Sequence, residues 1–308
     1  MNTVSPGEIT EPNGPIADCD ESRCDVRVIS NEQPAKARAL GMELKAARER
    51  AGLRTRDAAF KIGSSPATVN RSEKAKRFSP VEDVSAMLAI YGVTGPDRAR
   101  IMDLVAGLDA PHWLESGDKE LPRLLPALRH FEAMATKITQ FSPAVVPGLL
   151  QTPAYIRALM NFSSADDQAK EEQIAARLDR QAILNKIVSP RYAVFLDEGA
   201  LRRPCGGAEV MVHQLQWLIG RAEQAHISVR VIPFKHGFYE NAGAFTLFEF
   251  REDDPIVYIE SSGAAGFLHA PYSIAKVRRL TRRLDGVALG SADSVNFLAR
   301  TVADYERS

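Results

Sequence analysis

The spacing of apolar residues changes along this chain, and the change predicts two regions of different structure. Between residues 40 and 93, apolar positions recur every three or four residues, which predicts a series of short amphipathic helices. Further along, runs rich in Val, Ile and Phe predict strands over 192–196, 229–233, 244–250 and 256–259. Helices are predicted over 128–141, 165–187, 208–224, 272–284 and 291–305. Because helices and strands do not alternate strictly, the pattern predicts an all-α N-terminal domain followed by an α+β domain.

The length of 308 residues exceeds that of a typical single domain, so two compact domains are expected. We predict a disordered acidic tail over 1–35, a helical domain over 36–109, a linker over 110–123 and the α+β domain over 124–308. The linker prediction rests on Pro111, Gly117 and Pro122. The tail prediction rests on missing periodicity and on seven acidic residues against two arginines within residues 1–33.

Residues 53–77 have the pattern of two short helices joined by a tight turn. Ala58, Ala59 and Ile62 lie at helical spacing, and Gly63 follows them, where a helix ends with positive φ. Ser65 is a suitable N-cap, and Pro66 falls at the first helical position, where its missing N–H costs nothing. The second helix is predicted over 66–74. This layout predicts a helix-turn-helix that binds DNA.

The polar surface of this motif supplies candidates for contact with DNA. Arg71 is the best candidate to read a base, because a guanidinium can bridge O6 and N7 of guanine. Thr68 and Ala67 are candidates for a thymine methyl, and Lys74, Lys76 and Arg77 are candidates for phosphate. The full set of predicted DNA-binding residues is Thr55, Arg56, Ser65, Ala67, Thr68, Asn70, Arg71, Lys74, Lys76 and Arg77.

Charge favours this interpretation over a small helical bundle with a solvated basic face. Residues 36–80 contain twelve Lys or Arg and four Asp or Glu, a net of +8, whereas the whole chain has a net charge of zero. A positive patch on a helix-turn-helix is typical of a DNA-binding protein. The acidic tail then either competes with DNA for the basic face or is a passive solvated extension.

Residues 40–105 resemble the lambda-repressor-like domain of the XRE family of regulators, and this helix-turn-helix fold is expected for the N-terminal domain. The matching residues are Leu53, Ala59, Ile62, Gly63, Ser65, Thr68, Val69, Arg71 and Glu73. The sequence departs from the family at Arg54, where a Ser or Thr cap is usual, and at Ala58, where a larger apolar residue is usual. Ser72 replaces a packed hydrophobe and Ala75 a common glycine. These departures predict a loosely packed or atypical motif with weak or partner-assisted DNA binding.

A second resemblance covers residues 124–303. The segments FSPAVVPGLLQTPAYIRALM, RLDRQAIL, FLDEGALRRPCGG, QLQWLIGRAE, VRVIPFKHG, GAFTLFEF and VYIESSG appear in this order. They resemble the C-terminal domain of WhiJ-like regulators of actinobacteria, also called Scr-type antitoxin-like regulators. The resemblance implies a cytoplasmic regulator that acts with a small protein encoded by a neighbouring gene.

Charged residues of the C-terminal region predict either a polar pocket or an internal network of ion pairs. Arg177, Arg180 and Gln181 share one helix face, and arginine suits carboxylate or phosphate ligands. The candidate ligand- or partner-binding residues are Arg177, Arg180, Gln181, Glu198, Arg202 and Glu260. In the alternative, Arg177 and Arg180 pair with Glu198 and Glu260. The sequence shows no catalytic set, so we expect no enzyme activity and no cofactor.

Cysteine content and hydropathy limit the remaining possibilities. Cys19, Cys24 and Cys205 lack the neighbours of a metal site, so no metal is expected, and the thiols are predicted to be reduced and unpaired. No run of 18 apolar residues occurs, so no membrane contact is expected, and the N-terminus lacks a secretion pattern.

The sequence thus predicts a dimeric, sequence-specific transcriptional regulator, a repressor controlled through its C-terminal domain by a small partner protein or ligand. The alternatives are an antitoxin-like module that sequesters a small protein, and a small-molecule sensor. The apolar positions Val295, Leu298 and Val302 make the last predicted helix a candidate for the dimer interface.

Overall fold

Five helices build the N-terminal part of the protein in the computed structural model, which describes residues 33–110, 112–116, 120–162, 166–241 and 243–307. Residues 1–32 of the predicted acidic tail, with its two cysteines, lie outside these described residues, and the predicted tail ends one residue late, since α1 begins at Ala35. The five helices are α1 (Ala35–Arg50), α2 (Thr55–Ile62), α3 (Pro66–Glu73), α4 (Val81–Ile90) and α5 (Gly95–Asp103). Their order agrees with the predicted helical domain.

The turn between α2 and α3 forms as its sequence predicts. Gly63 ends α2 with φ of 71°, in the left-handed region that a Cβ disfavours. Ser65 caps α3, because its Oγ accepts a hydrogen bond from the backbone N–H of Thr68 at 3.1 Å. Pro66 occupies the first turn. Local chemistry therefore fixes where α3 begins.

The close approach of α1 and α3 explains why Ser72 is small and polar. A Cβ at Gly41 would lie only 2.6 Å from the carbonyl oxygen of Glu73, so the two helix backbones nearly touch. Ser72 is 3% exposed, and its hydroxyl donates to the Thr68 carbonyl and accepts from Ser79 at 2.7 Å. The expectation of a loosely packed motif is wrong, because this serine is buried and hydrogen-bonded.

Ala75 supports one prediction about stability. Its φ of 52° lies in the left-handed region, where an L side chain costs about 1–2 kcal/mol. Replacing Ala75 with glycine should raise the free energy of unfolding by about 0.5–1 kcal/mol, since relief of strain exceeds the loss of one methyl. Urea denaturation measures the change. The matched control Ala86→Gly, at an exposed position inside α4, should lower stability by a similar amount. If both variants lost the same free energy of unfolding, the backbone at Ala75 would not be strained as expected.

The C-terminal part is a seven-stranded mixed sheet covered by helices on both faces. Its strands are β1 (His112–Ser116), β2 (Lys137–Ser142), β3 (Arg191–Asp197), β4 (Ile227–Ile232), β5 (Phe245–Glu249), β6 (Ile256–Ser261) and β7 (Ala264–Leu268). The spatial order is β1-β7-β6-β5-β2-β3-β4. The β2–β3 and β3–β4 pairs are parallel and the others are antiparallel. The α+β prediction is confirmed.

The helices of this part divide between the two faces of the sheet. They are α6 (Glu120–Met134), α7 (Pro153–Met160), α8 (Asp167–Gln181), α9 (Glu198–Arg202), α10 (Ala208–Ala222), α11 (Pro271–Val287) and α12 (Ser291–Glu306). One core joins α6, α10 and α12 to one face, and a second core joins α11 to the other. The first core continues into α1–α5, so its apolar contacts connect the N-terminal helices with the sheet. Among the described helices, none is long and apolar enough to cross a membrane.

Three predictions about this part are wrong. The predicted linker over 110–123 contains β1, which pairs with β7, and the beginning of α6. The predicted helix over 128–141 divides into the end of α6 and strand β2, because Lys137–Ser142 pairs with both β3 and β5. The apolar stripe of α12 is not a free dimer face, since Leu298 and Val302 are buried inside the protomer against α10 and β4.

Candidate nucleic-acid interface and ligand cavity

The exposed side of α3 brings together most of the residues that the sequence predicted for DNA contact. Those exposed are Arg56, Ser65, Ala67, Asn70, Arg71, Lys74 and Lys76, and those half-buried are Thr55, Thr68 and Arg77. The hydroxyls of Ser65 and Thr68 hydrogen-bond each other at 2.9 Å, so both are engaged at the start of the helix. Arg77 pairs with Asp83 at 3.0 Å, which leaves it less available than the other cations.

The cations around α3 fall into two groups according to their partners. Arg48, Arg54 and Arg77 form ion pairs within the helical domain. By contrast, Arg56, Arg71, Lys74 and Lys76, together with Lys61, make no ion pair with any described residue. Unpaired, exposed cations keep their full charge available for a polyanion. The surface around α3 is therefore the basic face of the domain.

A buried ion pair holds α3 against α1. Arg48 donates to both carboxylate oxygens of Glu73, from Nε at 2.6 Å and from Nη2 at 2.8 Å. Its Nη1 also donates to the Leu53 carbonyl at 2.8 Å, directly before α2. The hydrogen bond to Glu73 raises the pKa of Arg48. One guanidinium thus ties together the end of α3, helix α1 and the segment that leads into α2.

A second buried arginine, which the sequence did not point to, joins the helical domain to the sheet domain. Arg38 of α1 lies over the rings of Phe250 and Phe131, at 4.1 and 5.1 Å from their centroids. It donates to the Asp254 carbonyl at 2.8 Å and approaches Asp253 at 3.5 Å. Burial lowers the pKa of Arg38 to about 10, which leaves it charged at neutral pH. Cation–π contact and hydrogen bonding therefore fix α1 on α6 and the β5–β6 turn.

The sheet domain contains a cavity of about 490 Å³ beside β2, β5 and β6. Three of the six candidate residues line it, namely Arg177, Arg180 and Glu260. The other three lie elsewhere. Gln181 donates to the carbonyls of Gly148 and Gln151 at 2.9 and 2.8 Å.

Glu198 and Arg202 form a separate structural cluster near the end of β3. Arg202 pairs with Glu198 at 3.1 Å and with Asp304 of α12 at 2.6 Å. Glu198 also accepts from the backbone N–H of Phe234 at 2.8 Å. These contacts join α9 to α12 and to the segment after β4. The proposed network that linked Glu198 to Arg177 and Arg180 is therefore wrong.

Arg180 is paired within the cavity, but its partner was not predicted. It donates to Glu132 of α6 from Nε at 2.9 Å and from Nη2 at 2.6 Å. Glu132 is 3% exposed, so the pair is desolvated. Sequence reasoning missed Glu132 because it lies 48 residues from Arg180 and within a predicted helix that gave no sign of a facing cation.

Possible metal ligands and one cysteine can be located in the described part of the chain. No group of three or more His, Cys, Asp or Glu among the described residues is arranged to hold a metal ion. Cys205 is a half-buried free thiol, and burial raises its pKa.

Fold and surface together define a helix-turn-helix protein with an α+β domain attached. Residues 39–101 match the family described as helix-turn-helix domain. Residues 125–300 match the family described as Domain of unknown function (DUF5753), and the chain belongs to this family. No curated protein and no solved structure matches the chain significantly.

Proposed function

We propose that the protein is a sequence-specific transcriptional regulator of the XRE type, a repressor rather than an enzyme, which binds double-stranded DNA as a homodimer. The observation that carries the proposal is the exposed, capped helix α3 beside several cations that form no ion pair with a described residue. A helix of this kind enters the major groove and reads bases from its first turns. In a dimer, two α3 helices would contact half-sites about 34 Å apart.

Control through the C-terminal domain is supported by the packing around α6. Phe131 of this helix contacts Arg38 of α1, while Leu128 and Glu132 of the same helix line the cavity. Helix α1 in turn packs on α3 through Gly41 and the Arg48–Glu73 pair. An event at the cavity therefore has a continuous packed route to the DNA-binding surface.

Control by a small protein encoded next to this one rests on the resemblance to WhiJ-like regulators. An antitoxin-like module, in which DNA binding is secondary, is the weaker candidate, because the departures at Arg54 and Ser72 that would favour it do not disturb the motif. Ser72 is hydrogen-bonded in the core, and Arg54 is paired with Asp57 at 2.8 Å. Both residues are compatible with an intact DNA-binding motif.

Replacing Arg71 with alanine should weaken specific binding by about 1–3 kcal/mol and relax one base position. The reason is that an exposed guanidinium near the middle of α3 can form a bidentate contact with guanine. The measurement is a titration with the DNA upstream of the protein's own gene at about 0.15 M salt, a concentration at which phosphate contacts are screened but still matter. Each titration is repeated with the small protein encoded beside it.

Lys76→Ala is the matched control for Arg71→Ala. It should weaken binding evenly across sequences and reduce the salt dependence by about one unit, as expected for a phosphate contact. An even loss in the Arg71 variant would assign it to phosphate as well. Absence of selective binding by the unmodified protein, with and without the partner, would contradict the proposed function.

A further inference from the structure

One arginine in the cavity of the sheet domain forms no polar contact with the described residues. Arg177 on α8 is half-buried and lines the cavity, yet its guanidinium makes no hydrogen bond or ion pair with any residue described. Burial is the main influence on its pKa, which is lowered. An arginine remains protonated in proteins, so a partly desolvated cation is left without a direct counter-ion among the residues described.

The other charges of the cavity are already engaged. Glu132 and Arg180 neutralise each other through two hydrogen bonds. Glu260 accepts from the hydroxyl of Tyr258 at 3.0 Å and lies near enough to influence Arg177, but no ion pair joins the two. Arg177 is thus the cation that remains for an anion, and the nearby Glu260 carboxylate opposes a second negative charge.

A second unsatisfied group lies in the same cavity. Gln151 is 3% exposed, and its side-chain N–H₂ donates to the Val146 carbonyl at 2.7 Å. Its Oε1 is buried without a hydrogen-bond partner among the described residues. A buried acceptor without a donor is costly, and a turn of this amide towards the cavity would let a hydroxyl or amine of a ligand reach it.

The remaining wall and the size of the cavity suit a small organic molecule. Apolar side chains contribute to the lining, namely Leu128, Val145, Val146, Leu149, Leu159 and Met160. A volume of about 490 Å³ lies within the range of roughly 300–1,000 Å³ that is usual for such sites. Polar side chains line the cavity in comparable number, so it offers surface for a hydrocarbon body as well as groups for hydrogen bonds.

We infer that this cavity binds a small monocarboxylate that also carries a hydrogen-bond donor. The carboxylate contacts Arg177, because a guanidinium matches a carboxylate with two parallel hydrogen bonds. The donor reaches Oε1 of Gln151 once the amide turns towards the cavity, and the hydrocarbon body packs against the apolar side chains. A phosphate monoester, which carries nearly two negative charges, is disfavoured by Glu260, whose charge no described cation pairs with directly. Ligand control through α6 would make this acid the effector of the proposed regulator.

Calorimetric titration of the full chain without DNA tests the inference. The probes are 4-hydroxyphenylacetate and 6-hydroxyhexanoate, each compared with its amide, and phenyl phosphate as the doubly charged probe. At least one of the two acids should bind at millimolar concentrations, at least about tenfold more tightly than its amide and than phenyl phosphate. Failure of both acids to bind, or equal binding of acid and amide, would overturn the inference. Tighter binding of phenyl phosphate would replace it with a phosphate site.

Variants at Arg177 identify the binding group. Arg177→Met should weaken binding of the acid at least about tenfold, and Arg177→Lys should weaken it less, because the charge remains while the planar fork is lost. Arg157→Met, at an exposed arginine of α7 outside the cavity, should bind like the unmodified protein. Urea denaturation confirms that each variant is folded. Binding of the acid that is unaffected by Arg177→Met would overturn the assignment. Because these titrations contain no DNA, a failure to bind the acids would not bear on the proposed DNA binding, which the DNA titration tests separately.

Discussion

Replacing Arg48 with methionine is expected to lower the free energy of unfolding by about 3–5 kcal/mol. Methionine retains much of the apolar volume but leaves the Glu73 carboxylate, whose side chain is 5% exposed, without its cation. It also removes the donor to the Leu53 carbonyl. Urea denaturation of the full chain, followed by circular dichroism, measures the loss. DNA binding should fall as well, because the pair holds α3 against α1.

The control for this variant is Arg50→Met on the same helix. Arg50 is exposed and has no ion-pair partner among the residues described, so its loss should change stability by less than about 0.5 kcal/mol. The double variant Arg48→Met with Glu73→Leu should recover part of the loss, since no buried charge then remains unpaired. Equal stability of the Arg48 and Arg50 variants would show that the pair contributes nothing beyond a surface contact.

Acidification from pH 6.5 towards pH 4 should lower the free energy of unfolding, because the fold disfavours protonation of His130 on α6. Burial, followed by the charge of Arg38, lowers the pKa of His130 to about 4, against 6.5 for a free imidazole. Between these values the unfolded chain binds more protons than the folded chain, so the free energy of unfolding falls as the pH falls. A shift of this size corresponds to roughly 3 kcal/mol when the pH has passed below 4.

The comparison of His130→Asn with the unmodified protein isolates this contribution. Asparagine does not titrate, so the difference in unfolding free energy between the two proteins should change across this pH window. Other charged groups near His130 are present in both proteins, namely Arg38, Lys45, Glu43 and Asp253. His269, whose pKa burial also lowers, is common to both. Parallel stability curves from pH 7 to pH 4 would contradict the prediction.

The features that the sequence predicted correctly depend on residues close together in the chain. Gly63, Ser65 and Pro66 define the turn between α2 and α3 through backbone conformation and a hydrogen bond across three residues. Strands β3 to β6 were predicted because β-branched and aromatic residues are concentrated in them. Such patterns depend on neighbouring residues alone, so they can be recognised without knowledge of the tertiary structure.

The missed features depend on contacts between distant segments. Strand β7 reads Ala-Ala-Gly-Phe-Leu and lacks β-branched residues, yet it pairs on both sides with β1 and β6. The sequence placed three residues of the cavity but not Glu132 or Gln151. Arg38 contacts Asp254 across 216 residues, a distance at which no spacing pattern exists. The polar partners of Arg180 and Arg38 could therefore not be predicted from the sequence.

Strand β1 has a consequence for the entropy of DNA binding. All five of its residues are paired with β7, and Gly266 lets the β1 backbone lie so close that a Cβ there would overlap the Trp113 carbonyl. A flexible tether would allow the DNA-binding helices many orientations, most of which would be lost upon docking. Here the Arg38 contacts and the β1–β7 pairing restrict those orientations when the chain folds. The orientational entropy of the DNA-binding helices is therefore lost when the chain folds. Less of it remains to be lost when the protein associates with DNA.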